Sequence, residues 1–341
     1  MKIAVVASPV TPLRPAQLGG AQAFVCDLAA GLAARGHEVT LHCAAGSEVT
    51  GVRLVMVPAP RDAAEALVMP GGADPAPAPG VAAAIEAMFG AIPGGVDAIS
   101  QHAFDAPAFT LAVGRPVLHT LHLPPMVDAV VTAARESPGI RLAAVSHASA
   151  RSWAAAGVEV GGVLPNGVPE QRLDPAPVER VALVAGRISP EKGIEDAIAA
   201  ARLVGLPVRL VGAHYDPGYA PDLGGAETLG SLPRDELRRV MASSAVTICA
   251  VRWDEPFGMV AAEAQMAGCP VAAYHRGAMP EVVEDGVSGR LARPDDTASL
   301  AHAIDECFAL DRTTVRASAL RRLGLDAALD RYEAALERAA R

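Results

Sequence analysis

Lysine occurs only twice in this 341-residue chain, and the second, Lys192, lies in the run Gly186-Arg187-Ile188-Ser189-Pro190-Glu191-Lys192-Gly193. Lysine delivers a compact charge on a flexible stem and arginine a planar fork, so one of each after the strand-like Val184-Ala185 suits a diphosphate clamp. A solvated charged turn also fits this segment alone. A second cluster runs Trp253-Asp254-Glu255-Pro256-Phe257-Gly258-Met259-Val260-Ala261-Ala262-Glu263, with seven residues between its two glutamates. Pro256 suits a first helical turn, which predicts unpaired amides over residues 257 to 260, Glu255 just ahead of them and Glu263 about two turns in. Glu263 would then reach the hydroxyls of a sugar or ribose. The plainer alternative is a capping Glu255 and a surface Glu263, against which stands the cost of an unpaired carboxylate in the apolar run 260–266.

Other segments offer less. Gly19-Gly20 opens a helical run, where free amides favour an anion and the missing side chains admit a ligand, although a capping turn fits as well. His119-Thr120-Leu121-His122 ends a strand, and alternation puts Thr120 and His122 on one face; His122, at the loop edge, is the better site candidate of the two histidines. His37 reads as a turn residue and Met279 as core. Glu281 balances a helix dipole. The chain has no Asp-x-Asp pair, G-x-S-x-G elbow or Walker A loop. Arg187, Lys192 and helix amides would neutralise a leaving phosphate without a cation, so neither metal nor cofactor is expected.

These residues need a scaffold, and the alternation of short β-branched runs with alanine-rich stretches predicts one made of βαβ units on parallel sheets. Strands are expected at 2–7, 38–43, 97–101, 116–121 and 141–145, with a helix over 20–35. After a pause at Gly161-Gly162 and Pro165-Asn166-Gly167, strands recur near 181–185, 208–212, 246–250 and 270–273. Helices are expected near 193–204, 235–242, 257–267 and 297–309. The expected domains are 1–162, 163–320 and a final helix over 321–341 that returns to the first domain or stays on the second. Residues 60–80, centred on Met69 to Pro75, read as a loop.

Composition narrows the partner. The formal net charge of −9 gives no general attraction to nucleic acid or an anionic membrane, and no apolar run is long enough for a bilayer helix. The first residues read directly as a strand, without an export signal, and the five spaced cysteines read as small buried hydrophobes in a reducing, cytoplasmic setting. A small anionic molecule is the expected ligand; a homodimer is left open.

In order along the chain, Gly19-Gly20-Ala21, Arg35-Gly36-His37-Glu38-Val39, Thr120-x-His122, Val145-Ser146, Pro165-Asn166-Gly167-Val168, the Gly186 to Gly193 run, Glu255-Pro256-Phe257-Gly258 and Pro280-Glu281 resemble the retaining glycosyltransferases of family 4. That resemblance implies the GT-B fold, an α/β architecture of two facing Rossmann-like doubly wound domains. It implies an acceptor-binding first domain and a donor-binding second one. Arg187 and Lys192 would hold the donor diphosphate, with amides near Gly19 and Gly20 and over Phe257, Gly258, Met259 and Val260. Glu263 would bind the ribose, Glu255 the sugar hydroxyls, backbone near Leu232 the base, and His122 the sugar from the other domain.

The implied reaction moves a sugar from a UDP-sugar, ahead of GDP- or dTDP-sugars, to a soluble small molecule or saccharide. An epimerase or hydrolase on the same fold, or a non-catalytic nucleotide-sugar binder, is the alternative. The compact length is similar to that of actinobacterial natural-product tailoring members. Two departures stand out: His214 to Tyr219 replaces a glycine-rich turn, and Ala278 stands where a second glycine is common.

Overall fold

The computed structural model describes residues 1–14, 19–66, 78–137, 139–170, 177–214 and 218–341. It divides into one unit holding 1–14, 21–167 and 325–341, and another holding 168–324 with Gly19 and Gly20. The centre of the proline-rich loop, residues 69 to 75, and the departure at Tyr215 to Pro217 lie outside the described residues.

The first unit contains β1 (Lys2–Val6), α1 (Gly20–Ala34), β2 (Glu38–Ala44), β3 (Arg53–Val57), α2 (Pro79–Gly90), β4 (Ala98–Gln101), α3 (Ala106–Thr110), β5 (Val117–Leu121), α4 (Asp128–Arg135), β6 (Arg141–Ala144), α5 (His147–Ala155) and β7 (Gly162–Val163). All its strand pairs are parallel, in the order β3-β2-β1-β4-β5-β6-β7. Ile3, Ala4, Val5 and Val6 are all buried, as befits a strand covered on both faces. In α1, Phe24, Val25, Leu28, Ala29 and Leu32 recur at helical spacing and form its buried stripe.

The second unit contains β8 (Glu179–Ala185), a 3₁₀ turn (Pro190–Lys192), α6 (Ile194–Leu203), β9 (Val208–Val211), β10 (Glu227–Gly230), α7 (Arg234–Ser243), β11 (Ser244–Cys249), α8 (Met259–Met266), β12 (Val271–Tyr274), α9 (Met279–Val282), β13 (Gly289–Ala292), α10 (Thr297–Cys307) and α11 (Arg312–Leu323). Its strands are also parallel, in the order β10-β9-β8-β11-β12-β13. One core joins Ile194, Ile198 and Leu206 to Val246, Ile248, Leu300 and Ile304.

Both sheets have the doubly wound pattern, in which the chain runs outward one way from the first strand and then reverses. Ligands bind such sheets beyond the carboxyl ends of the two strands at the reversal. Those strands are β1 and β4 in one unit and β8 and β11 in the other.

The last helix, α12 (Leu325–Ala339), belongs to the first unit. Leu329 packs so close to Gly31 that a Cβ there would fall 2.7 Å from it. Arg35 binds Asp330 at 2.7 Å and Glu333 at 2.8 Å, while His37 meets Glu333 at 2.9 Å. The Tyr332 hydroxyl donates to Thr120 at 3.1 Å. No helix among the described residues is long and apolar enough to cross a membrane.

Candidate functional site

Lys192 and Glu255 sit on the loops that leave β8 and β11, the two strands at the reversal in the second unit. The Lys192 ammonium donates to Glu255 Oε2 at 2.7 Å, the Trp253 indole N–H donates to the same oxygen at 2.8 Å, and Lys192 Nζ lies 5.3 Å from the Trp253 ring centre. Burial alone would push the Glu255 carboxyl up. The charge and hydrogen bond of Lys192, the Trp253 bond and the Arg187 charge outweigh that and hold it below its ordinary range.

Two glycines let these loops close on one another. Gly193 takes φ 62°, and a Cβ there would fall 1.8 Å from the Ala250 carbonyl oxygen, so the turn carrying Lys192 rests directly on the start of the Glu255 loop. Gly277, at φ 56°, would put a Cβ 2.4 Å from the Glu255 nitrogen. With Ala278 N–H donating to the Glu255 carbonyl at 2.9 Å, the loop after β12 supports Glu255 from behind.

Arg187 is in the same loop, but its guanidinium meets Glu191 Oε1 at 3.2 Å, an oxygen that also accepts from Ser189 Oγ at 2.7 Å. Arg187 and Lys192, the two cations expected to hold a diphosphate, each face a carboxylate in the structure, Glu191 and Glu255.

The helix after Glu255 corrects the sequence reading. Pro256 is not in its first turn: α8 starts at Met259 behind Gly258, whose left-handed φ of 94° makes it the cap residue, and Phe257 lies outside the helix. Gly258, in the left-handed region, overrode the local preference of proline for a helix start. Glu263 is therefore just over one turn in, not two. No side chain caps this end and its first turn holds no acid, so the amides of Met259, Val260 and Ala261 have no intrahelical acceptor. Gly20, which groups with this unit, is pressed against the same end: a Cβ on it would come 2.7 Å from Met259 Cγ. Gly19 precedes it.

Glu263 is 7% exposed, so it is not a surface residue. Its Oε1 accepts from Arg234 Nε at 2.7 Å and lies 3.6 Å from Arg238 Nη2. Both contacts fall on Oε1, which leaves Oε2 able to accept from a hydroxyl. These arginines were missed from sequence. Two like charges four apart on one helix are unfavourable unless an acid answers them, and that was the available signal. Leu232, half-buried, stands in the short link between β10 and α7.

In the first unit, His122 lies one residue past β5 and is buried, with Nε2 2.9 Å from His102 Nδ1. Burial pushes His122 down to about 4, so its ring is neutral at pH 7. His119 points elsewhere, its Nε2 3.1 Å from the Ala103 carbonyl and its ring centre 3.9 Å from that of Phe109, and burial pushes it down to about 3. His102, on the loop after β4, was not singled out from sequence. Among the described residues no group of three His, Cys, Asp or Glu side chains could hold a metal ion.

Residues 18–172 match the family model described as Glycosyltransferase Family 4, and residues 179–309 match the one described as Glycosyl transferases group 1. The D-inositol 3-phosphate glycosyltransferase of Mycobacterium sp. (strain KMS) is 35% identical over 161 residues, 43% of this chain. The enzyme of that name from Mycolicibacterium gilvum is 37% identical over 155 residues, 42% of this chain. The chain thus covers about a third of the length of these curated relatives, 36% and 34%. Anabaena Alr3699/HepE, solved in complex with UDP and glucose, superposes with a TM-score of 0.76 at 21% identity over 99% of this chain and 100% of that one. AviGT4, a glycosyltransferase involved in avilamycin A biosynthesis, gives 0.74 at 24% identity over 99% and 98%. These superpositions show the GT-B fold.

Proposed function

The chain belongs to the group 1, family 4 glycosyltransferases, and from that premise we propose that it transfers a sugar, with retention of configuration, from a UDP-sugar to a hydroxyl of a small soluble acceptor. The observation that carries this reading is the Lys192–Glu255 pair at the strand reversal, beside a helix end with no side-chain cap. An ammonium has three donor protons, so Lys192 keeps Glu255 and still donates to a phosphate oxygen. Arg187 and the amides of Met259 and Val260 add donors for the diphosphate, and Gly19 and Gly20 let it approach closely.

Glu263 Oε2 would accept from the ribose diol, Glu255 from the sugar hydroxyls, and backbone near Leu232 would read the base. His122 would meet the sugar. UDP is favoured because Anabaena Alr3699/HepE, which shares the fold, was solved with UDP. In the reaction the bond from the anomeric carbon to the diphosphate oxygen breaks as the acceptor oxygen bonds to that carbon on the same face. The acceptor proton passes to the departing phosphate oxygen. Rate then comes from stabilising the leaving charge and excluding water, with no separate protein base. Residues 1–162 would bind the acceptor and 163–320 the donor, in the cytoplasm.

The test is thermal stability with UDP, GDP, ADP, dTDP and their sugars, because a ligand at about a hundred times its Kd stabilises by about 2.7 kcal/mol. UDP compounds should give the largest rise. An acceptor panel with product NMR then reads the anomeric outcome. Absence of any nucleotide effect, or donor consumption that ignores acceptor, would overturn the proposal.

A further inference from the structure

Two histidines of the first unit share a single hydrogen bond, and its direction decides what His122 offers a ligand. His102 Nδ1 is 2.9 Å from His122 Nε2, and His102 Nε2 is 2.8 Å from Ser100 Oγ. All three residues are buried. Burial, helped by the neighbouring His122 and His119, holds His102 well below its ordinary value, so both rings are neutral and each carries one N–H.

The row can run two ways. If His122 donates from Nε2, then His102 donates to Ser100. The serine proton is left without an acceptor, since Ser100 Oγ has no other partner among the described residues, and His122 Nδ1 becomes a buried lone pair with nothing to accept. If Ser100 donates to His102 Nε2, then His102 Nδ1 donates to His122 Nε2, and one group alone in the row goes unmet, the N–H on His122 Nδ1. The second direction leaves fewer buried polar groups unpaired. Hydrogen positions in such a row follow from this balance of partners.

The ring planes are held as well. Tyr332 of α12 stacks over His102 with centres 6.1 Å apart and planes 30° apart, and Phe24 lies 6.1 Å from the His122 ring. Tyr332 is itself fixed by its bond to Thr120.

We infer that His102, oriented by Ser100 and Tyr332, is a positioning residue that fixes His122 as its Nδ1–H tautomer, so that His122 presents a neutral donor to a hydroxyl oxygen of the bound sugar. This rests on the sugar-transfer reading only for the identity of the ligand. A neutral donor suits that place, because an imidazolium would repel the positive charge that builds on the sugar ring as the diphosphate leaves.

The test has two arms on the full chain. In the first, nitrogen NMR of ¹⁵N-histidine-labelled protein, with His122 assigned by its loss in His122→Asn, should show a protonated Nδ1 and a bare Nε2. Ser100→Ala should move His122 toward a mixture of tautomers. A protonated Nε2 in the native protein overturns the inference, whether or not the protein transfers sugar.

The second arm is kinetic. An asparagine amide overlays the Nδ1 side of a histidine and a glutamine amide the Nε2 side. His102→Asn should therefore keep a donor to His122 and retain most turnover, whereas His102→Gln should lose about tenfold, the worth of one net hydrogen bond. Equal losses in the two variants overturn it. If His102→Gln fails to fold, Ser100→Ala carries the same comparison. A native protein that shows the expected tautomer but transfers no sugar sinks the functional reading and spares the relay.

Discussion

Replacing Lys192 with alanine removes the cation that, among the described residues, is hydrogen-bonded to Glu255. The pair is 2.7 Å from nitrogen to oxygen, with side chains 20% and 13% exposed. Unit charges with centres about 4 Å apart gain about 4 kcal/mol at an effective dielectric of about 20, and the loss of hydration by both ions offsets part of that. Lys192→Ala should therefore destabilise the protein by about 2 to 3 kcal/mol at pH 7, largely because Glu255 is left buried with only the Trp253 hydrogen bond. Glu255→Gln on its own strands the lysine instead. Combining the two should cost clearly less than the sum, with a coupling of about 2 kcal/mol. The sign with pH is fixed by the direction of the Glu255 shift: its folded value is depressed, so the contribution is present above the ordinary carboxylate range and fades as pH falls through the folded value. Thermal melts of the four proteins at pH 7 and pH 4 measure this, and turnover with saturating donor should fall about ten- to a thousandfold in Lys192→Ala. Additive effects at pH 7, together with unchanged turnover, would refute the reasoning.

Glu263→Gln should raise the donor KM about tenfold and lower the melting temperature, since Arg234 and Arg238 lose their shared carboxylate; steady-state kinetics and a melt check both. Gly277→Ala should lower both stability and turnover, because the new Cβ meets the Glu255 backbone, while Gly225→Ala, at φ 83° with open space around it, should cost stability alone. Asp105 caps α3 without a side-chain bond, and burial pushes its carboxyl up to about 6. The unfolded chain ionises it more readily, so it disfavours the fold above its ordinary value by up to about 3 kcal/mol. Asp105→Asn should then raise the melting temperature at pH 8 and not at pH 4, and an equal change at both would count against this.

What the sequence disclosed follows the range of the physics involved. Strands such as Lys2–Val6 announce themselves because burial on both faces favours a run of apolar residues, and α1 because Phe24, Leu28 and Leu32 share a stripe. The edge strand Arg53–Val57 carries a mostly uncovered pattern and was not foreseen, nor was β13, whose Gly289 and Arg290 dilute the signal. Lys192, Glu255 and Glu263 were legible as unusual residue types in apolar or glycine-rich settings. Their partners were less so. Which cation faces which acid depends on strand order, and a local motif does not carry strand order. His102 escaped for the same reason: it matters through a bond to a residue twenty positions away. The start of α8 was misplaced because Pro256 satisfies the local rule, while Gly258 and its contact with Met279 decide where the helix can begin.

The candidate donor site holds its charges in answered form. Lys192 faces Glu255, Arg187 faces Glu191, and Arg234 and Arg238 share Glu263. Bare cations in such enclosed positions would lose hydration without return, so pairing is what lets the site keep its shape when no ligand is bound. On the proposed reading it also lets a chain of net charge −9 serve a dianionic diphosphate. Attraction at long range is not needed if the donors already point inward: the spare protons of an ammonium, and amides at the end of α8. Selectivity then lies in the geometry of these donors rather than in excess charge. The two strands at the sheet reversal set that geometry, because β8 and β11 lie side by side and the loops that leave them close on one another, so a lysine from one meets a glutamate from the other.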